Sequence, residues 1–166
     1  MRNTLLAASA ALLLAAGPAA AQQKTIKIGF ISTFSGPVAV IGNDMRNSFE
    51  LALDHLGRKM GGIPVEVIYE DDGFKPEVGK QKTDKLIESD KVDFLTGYIW
   101  SNVLLASLKS AVDSKTFLIT ANAGPSQIAG ELCSPYVFSS SWNNDQTPQS
   151  VGLYMNQKGV NSVLSL

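Results

Sequence analysis

The sequence predicts an α/β fold built on a parallel, doubly wound sheet. Three observations support this prediction: short β-branched runs alternate with amphipathic helical stretches, Gly/Ser/Pro loops separate them, and the alternation covers most of the chain. Strands connected through helices pair in parallel with right-handed crossovers, which place helices on both faces of the sheet. Ligands bind such open sheets at the carboxyl ends of the strands.

The first strand–helix unit has the clearest pattern. A strand is predicted over residues 26–31, and a Ser/Gly/Pro loop follows it. The next helix is expected to begin near Asn43 or Asp44, whose side chains can accept from the free amides of a first turn. Gly57 ends this helix. Its apolar stripe consists of Met45, Phe49, Ala52, Leu53 and Leu56.

The later elements follow in the same order. Pro76 opens a second helix, because a proline at the first helical position loses no hydrogen bond. Ser101 or Asn102 caps a third helix, and Thr147 caps a fourth that ends at Gly159. A last strand with no covering element indicates a fragment of a longer protein. The strands are predicted over residues 63–69, 92–96, 116–120, 136–139 and 160–166.

The amino-terminal segment is typical of a secretory signal. Arg2 provides a positive start, an apolar run of leucine and alanine follows, and small residues precede a cleavage site after Ala21. The apolar run is short for a membrane span, so a soluble, exported product is expected. The domain prediction is a signal peptide (1–21), an N-terminal α/β lobe (22–140), and a crossing segment with the start of a second lobe (141–166).

Composition excludes some classes of function. The chain has 14 basic and 15 acidic residues and no basic cluster, so no nucleic-acid partner is predicted. Cys133 is the only cysteine, so no disulfide can form within the chain. The sequence favours a buried, inert thiol here, the alternative being a partner outside the chain.

Motifs of catalysis and metal binding are missing from the sequence. There is no nucleophile elbow, phosphate loop or dinucleotide fingerprint. His55 is the only histidine. Because the sequence contains no motif that would supply a nucleophile for it to activate, it is interpreted as a surface residue of the first helix. Glu70, Asp71 and Asp72 alternate in direction and lack calcium-loop spacing, which favours an Asp-Gly turn. No catalytic residue, metal site or cofactor is therefore predicted, and the chain is not expected to be an enzyme.

Four loops follow the carboxyl ends of predicted strands and should meet at one edge of the sheet: residues 34–42, 97–102, 121–127 and 139–145. They carry the aromatic residues Phe34, Tyr98, Trp100 and Trp142. Ser101 and Asn102 stand at a helix amino end, where free amides and the helix dipole favour an anion. This combination predicts a carboxylate pocket with an aromatic wall.

Six stretches occur in order along the chain: IKIGF (26–30), SGPVAVIGNDM (35–45), ELALD (50–54), LTG (95–97), ITANA (119–123) and CSPYVF (133–138). In these stretches the chain resembles the periplasmic solute-binding proteins of the leucine/isoleucine/valine type, receptors of ABC importers. Such proteins have two similar α/β lobes with interdigitated connections. The resemblance implies a type I periplasmic-binding-protein fold, of which this chain holds the first lobe and only the beginning of the second.

The resemblance also implies a set of ligand contacts. The first lobe would grip a carboxylate through a serine after the third strand, and through a backbone amide and a hydroxyl after the fourth. By position these contacts fall on Ser101 or Asn102, and on Asn122, Ala123 and Gly124. Ile41 falls where a large side chain often lines the pocket. Gly124 departs from the threonine or serine that is usual at its position.

One departure bears on the class of ligand. Amino-acid binders of this type tend to carry an aspartate just before the pair placed here at Asp145 and Gln146, whereas this chain has Asn143 and Asn144. A buried ammonium group without a carboxylate partner costs several kcal/mol. With the aromatic wall, this favours an aromatic or other apolar carboxylate. A branched-chain amino acid is the alternative, because the second lobe can supply an acid.

The function expected from these features is a non-enzymatic, periplasmic receptor, monomeric at full length, that presents a small carboxylate ligand to a membrane ABC permease. Two other classes are weighed against it. An exported α/β hydrolase would need a nucleophile, a base and an orienting group. The sensing domain of a regulator would need a fused effector segment.

Overall fold

The computed structural model describes residues 24–164 and contains six strands: β1 (Ile26–Ser32), β2 (Lys59–Met60), β3 (Ile63–Asp71), β4 (Phe94–Gly97), β5 (Phe117–Thr120) and β6 (Val137–Ser139). They form one sheet in the order β2-β3-β1-β4-β5-β6. All neighbouring pairs are parallel except β2 with β3, a short antiparallel hairpin that was not predicted. The predicted parallel α/β sheet is confirmed.

The helices are α1 (Ala39–His55), α2 (Pro76–Glu88), α3 (Ser101–Asp113) and α4 (Gln146–Gln157), with a single 3₁₀ turn at Ser126–Ala129. Their existence was predicted, but three of the predicted starts are wrong. The first helix begins at Ala39, and the Asn43 side chain donates to the Ala39 carbonyl instead of capping (2.9 Å). Trp100 is the N-cap residue of α3, and α4 begins at Gln146, before Thr147.

The early start of α1 has a local cause. Gly36 adopts the left-handed conformation, with φ of 78°, and the Ala39 amide donates to its carbonyl at 3.2 Å. The bond joins residues three apart, as in a 3₁₀ turn. Such a turn continues directly into the first turn of the helix. The helix therefore needs no side-chain cap, and the polar residues that looked like caps lie inside it.

One face of the sheet packs tightly against α2 and α3. The core there is made of fully or nearly fully buried aliphatic side chains: Ile31, Leu86, Leu95, Leu104, Leu108 and Leu118. Gly29 in β1 lets α2 approach, since a Cβ at this position would lie 2.8 Å from Cδ1 of Leu86. Burial of each such leucine or isoleucine contributes roughly 1.5–3 kcal/mol to stability.

The opposite face is only partly covered. Phe30 of β1 packs there against Phe49 of α1, with ring centroids 5.2 Å apart. Side chains that alternate with the core residues point the same way on β4, β5 and β6 and remain exposed or half-exposed. We call this surface the apolar sheet face; it consists of Phe94, Phe117, Ile119 and Phe138. Helices were predicted on both faces of the sheet. On this face, α1 is the one helix of the described residues that packs against the sheet.

We expect the apolar sheet face to bind hydrophobic dye in the purified chain, because contiguous exposed apolar surface of this kind is unusual in a stable monomer. Ile119→Lys and Phe138→Lys should lower the fluorescence of bound anilinonaphthalene sulfonate. Leu153→Lys, which alters an exposed leucine on α4 away from the sheet, is the matched control. Equal dye fluorescence in all variants would contradict this account.

The carboxyl-terminal strand prediction is wrong over the described residues. Residues 160–164 form neither strand nor helix, because a strand requires ladder hydrogen bonds to a neighbour and none pairs with them here. The last two residues and the predicted signal peptide (1–21) lie outside the described part of the chain. The expectation of a buried Cys133 is also wrong, since this residue is exposed.

Within residues 24–164, no helix combines the length and the apolar character needed to cross a membrane.

Candidate functional site

The loops at the carboxyl ends of the strands do meet at one edge, as the topology predicts. Backbone hydrogen bonds join three of these loops to one another and to the end of β1: Tyr98 N donates to Ile31 O of β1 (2.6 Å), Ala123 N to Tyr98 O (2.9 Å), and Asn144 N to Gly124 O (2.8 Å). The edge is therefore a continuous surface built from these segments, with its backbone groups held in fixed positions.

A sharp backbone turn at the end of β4 fixes the middle of this edge. Gly97 and Tyr98 both have positive φ, 97° and 53°, which directs the chain into the amino end of α3. The Tyr98 ring is fully buried, and its hydroxyl lies 2.8 Å from the Thr83 hydroxyl. Burial raises the pKa of Tyr98, so the phenol stays neutral. The prediction that Tyr98 contributes to an aromatic wall is corrected, because its side chain belongs to the core.

Ser101 lies at the amino end of α3, as expected, but it is the first helical residue and not the cap. Its Oγ accepts a hydrogen bond from the side-chain amide of Asn144 at 2.8 Å. Since Asn144 is the donor, the Ser101 hydroxyl proton is left to donate to another group at the helix start, where amides are also free. Asn102 is exposed, and its side-chain oxygen accepts from the Val103 amide (3.0 Å).

The loop after β5 brings the next predicted contacts close to α3. Asn122 donates from its side chain to the Ile99 carbonyl at 3.3 Å, and Ala123 is buried. Gly124 has no space for a side chain, because a Cβ there would overlap the Trp142 carbonyl oxygen and lie 3.0 Å from its carbon. This close backbone approach explains why a glycine occupies a position where a hydroxyl is usual among the proteins that the sequence resembles.

The remaining predicted residues are distributed around the edge. Trp142 is 54% exposed, and Trp100 is partly buried with its indole nitrogen 3.0 Å from the Thr33 hydroxyl. Asn143 serves the start of α4, since its side-chain oxygen accepts from the Asp145 amide (2.8 Å). Ile41 lies on the α1 side, where it lines a surface cavity of about 530 Å³.

Two acidic residues at the carboxyl end of β3, interpreted from sequence only as part of a turn, organise the loops at this edge. One side-chain oxygen of Asp71 accepts from the amides of Phe34 (2.8 Å) and Gly73 (2.9 Å). Burial alone would raise the pKa of Asp71, but these bonds and one from Ser35 hold it below its usual value. Asp72 is fully buried. An Asp-Asp-Gly sequence signals such a turn, but not which carboxylate is buried.

Residues 24–164 contain no group of three or more His, Cys, Asp or Glu side chains arranged to hold a metal ion.

Comparison with known proteins identifies the fold family. Residues 25–166 match the family described as periplasmic binding protein. Leu/Ile/Val-binding protein homolog 6 from Brucella abortus is 29% identical over all of this chain and 42% of its own length. A solute-binding protein of an ABC transporter from R. palustris, in complex with benzoate, is 32% identical with a TM-score of 0.78, over 82% of this chain and 38% of that one.

A more distant structure is the branched-chain amino acid transporter substrate binding protein LivJ from Streptococcus pneumoniae in complex with isoleucine. It is 25% identical with a TM-score of 0.66, over 72% of this chain and 34% of that one. The chain thus spans about two fifths of the length of the curated relative it matches throughout. The family consists of binding proteins, which agrees with the prediction of a non-enzymatic chain. The match over residues 25–166, together with the sheet topology, shows that this chain belongs to the periplasmic binding protein family.

Proposed function

We propose that this chain forms the ligand-gripping first lobe of an exported, periplasmic receptor of an ABC importer. The ligand is a small carboxylate, with an aromatic or other apolar acid favoured, which the receptor presents to a membrane permease. In this proposal residues 22–140 form the lobe, and residues 141–166 cross toward a second lobe. The observation that carries it is the Ser101 hydroxyl at the amino end of α3, held by Asn144.

The hydrogen-bonding capacity of this site matches a carboxylate. The Asn144 side-chain nitrogen can only donate, so the Ser101 hydroxyl proton is left to donate to a ligand. The free amides of the first turn of α3 add donors of fixed direction, and the helix dipole adds partial positive charge. Neither Asn143 nor Asn144 carries a charge that would neutralise an ammonium group. These features support an acid without an α-amino group.

The aromatic preference rests on the surroundings of Ser101. The Trp100 and Phe74 rings lie 4.4 Å apart between centroids, and Trp142 is half-exposed on the neighbouring segment. The relative in complex with benzoate shares more identity with this chain than does LivJ with isoleucine, 32% against 25%. A branched-chain amino acid remains the second candidate, since its ammonium can be met by an acid from a second lobe.

Ligand capture would follow from motion between lobes. The first lobe supplies fixed donors, and the closed state is favoured because the ligand gains contacts there that the open state lacks. The polar segment 139–145, which joins β6 to α4, is the proposed hinge. All residues of α4 are at least partly exposed, so this helix is not packed into the core of the first lobe.

Thermal unfolding of the complete two-lobed receptor with a panel of acids tests the function. Benzoate and its hydroxylated derivatives are expected to raise the unfolding temperature, since a ligand at a hundred times its Kd stabilises by about 2.7 kcal/mol. Leucine and valine should have little effect. Stabilisation by leucine or valine alone would exclude the aromatic-acid proposal, and turnover of a benzoate ester would exclude a receptor.

Ser101→Ala should weaken carboxylate binding by about 1–3 kcal/mol, because a buried acceptor on the ligand loses its donor. Titration calorimetry on the complete receptor measures the change in Kd. Ser150→Ala is the matched control, since the Ser150 hydroxyl bonds only within α4, to the Gln146 carbonyl (2.8 Å). An unchanged Kd in Ser101→Ala would mean that the carboxylate grip lies elsewhere.

A further inference from the structure

A buried carboxyl group lies directly behind the candidate site and takes no part in the proposed grip. Asp72 and Thr33 are both completely inaccessible to solvent. The Thr33 hydroxyl donates to Asp72 Oδ1 at 2.5 Å, and the Trp100 indole nitrogen donates to the Thr33 oxygen at 3.0 Å. Three side chains from three different loops therefore form one hydrogen-bonded chain, which we call the Asp72 relay.

The relay can run in only one direction. An indole nitrogen has a proton to donate and no lone pair to accept with, so Thr33 must accept from Trp100. The single Thr33 proton is then available to Asp72, whose Oδ1 accepts it. Donation to Asp72 sets the direction of the Thr33 hydroxyl proton and leaves a lone pair of the Thr33 oxygen for the indole, so the two hydrogen bonds favour each other.

The same carboxyl oxygen also holds the aromatic neighbour of Trp100. The Phe74 amide donates to Asp72 Oδ1 at 2.8 Å, and Phe74 has a positive φ of 62°. That conformation is uncommon and strained for a bulky residue, so it requires support from its surroundings. The Phe74 and Trp100 rings meet at 4.4 Å between centroids. Asp72 thus fixes both partners of this aromatic contact.

Asp72 occupies this place at a cost to stability. Burial raises the pKa of its carboxyl, against the opposing effect of the hydrogen bonds from Thr33 and Phe74. Its second oxygen, Oδ2, has no hydrogen-bond partner within the described part of the chain. A buried carboxyl with one unsatisfied oxygen disfavours folding. What it provides is a single acceptor at which two hydrogen bonds from different loops converge.

The orientation of Trp100 bears directly on the ligand grip. Trp100 is the N-cap residue of α3, and its carbonyl accepts the first helical hydrogen bond, from Leu104 N at 3.0 Å. Ser101 follows it immediately. A shift of the Trp100 side chain would therefore move the N-cap backbone. The free amides of the first helical turn and the Ser101 hydroxyl would move with it.

We propose that Asp72, acting through Thr33, is a positioning residue that holds Trp100, and with it the carboxylate donors at the start of α3, in the binding arrangement. The effect on ligand affinity rests on the proposed function. The existence and direction of the relay do not, because they concern only residues of this lobe.

The relay itself is tested by hydrogen exchange of the two indole protons, followed by NMR in the chain of residues 22–166. The chain has two tryptophans, so the exposed Trp142 serves as an internal reference. The Trp100 indole proton should exchange at least about tenfold more slowly than that of Trp142. Thr33→Val should abolish this protection, and Thr33→Ser, which keeps a hydroxyl, should restore most of it. Equal exchange of both indoles in the unmodified chain would overturn the relay.

The ligand effect is tested by calorimetry with benzoate on the complete receptor. Thr33→Val should weaken binding at least about fivefold, and Thr33→Ser should recover most of that loss. Thr96→Val is the matched control: it removes a threonine hydroxyl on β4 that donates to the Ile119 carbonyl (2.7 Å) on the opposite face of the sheet, outside the relay. It should lower stability and leave both Kd and Trp100 protection near their original values.

Two outcomes separate the inference from the function on which it rests. Lost Trp100 protection with an unchanged benzoate Kd in Thr33→Val would overturn the positioning role and leave the receptor function standing. A receptor that binds none of the acids would overturn the proposed function and the positioning role, while the exchange data would still decide whether the relay exists.

Discussion

Gly124→Ser is expected to weaken carboxylate binding by about 1–3 kcal/mol, although serine is a usual residue at this position in the proteins that the sequence resembles. A side chain at residue 124 has no room, because its Cβ would overlap the Trp142 carbonyl oxygen. Overpacking of this kind costs roughly 1–3 kcal/mol or displaces the backbone. The displaced backbone would be that of the segment carrying Asn144, whose amide donates to the Gly124 carbonyl at 2.8 Å.

Calorimetry on the complete receptor measures the effect of Gly124→Ser. Gly152→Ser, in open space on the surface of α4, is the matched control and should leave Kd unchanged. Tighter binding in Gly124→Ser would show that a hydroxyl grip can be added and that the approach of Trp142 is not essential. The resemblance alone predicts tighter binding in Gly124→Ser, whereas the lack of space at residue 124 predicts weaker binding. The measured Kd decides between these two accounts.

Gly97→Ala is expected to destabilise the lobe by about 3 kcal/mol or more, the largest effect of any single change considered. Gly97 has φ of 97°, where an alanine is strained by roughly 1–3 kcal/mol. A Cβ would also overlap the Ile31 carbonyl and lie 3.0 Å from the Ile31 nitrogen. The Ile31 carbonyl accepts from the Tyr98 amide at 2.6 Å, so relief of the overlap would break the connection between β1 and β4.

Urea unfolding of the chain measures this loss of stability. Gly152→Ala is the control, because it replaces a helix-interior glycine in open space and should raise stability by roughly 0.5–1 kcal/mol. An unchanged unfolding midpoint in Gly97→Ala would mean that the turn at the end of β4 tolerates a different conformation.

The five parallel strands were predicted well because their signal is local, whereas the short strand β2 was missed and the strand predicted over residues 160–166 does not form in the described residues. Residues 26–31 contain three isoleucines and lie in β1, which is buried from Ile28 onward and extends one residue further, to Ser32. Helix starts were predicted poorly, since Asn43 and Ser101 have the chemistry of caps but lie inside their helices. The first helix instead starts from the turn at Gly36, whose carbonyl accepts from the Ala39 amide, and α3 starts from Trp100, whose indole donates to Thr33.

The candidate site shows the same division. Ser101 was placed correctly at the amino end of α3 from chain order alone. The hydrogen bond from Asn144 to Ser101 spans 43 positions and was not predicted. Tyr98 was misplaced because an aromatic residue in a loop looks exposed, whereas the positive φ at residues 97 and 98 turns its ring into the core.

The sequence by itself determined the parallel α/β order, the family, the edge at which the loops converge and the lack of a charge at residues 143 and 144. These follow from hydrophobic periodicity, from motif order and from residue identity, all of which are properties of the chain. Only the tertiary structure decided that Gly124 excludes a hydroxyl and that Asp72 organises Trp100 through Thr33. Steric exclusion and burial depend on residues that are distant in the chain, and no local pattern records them.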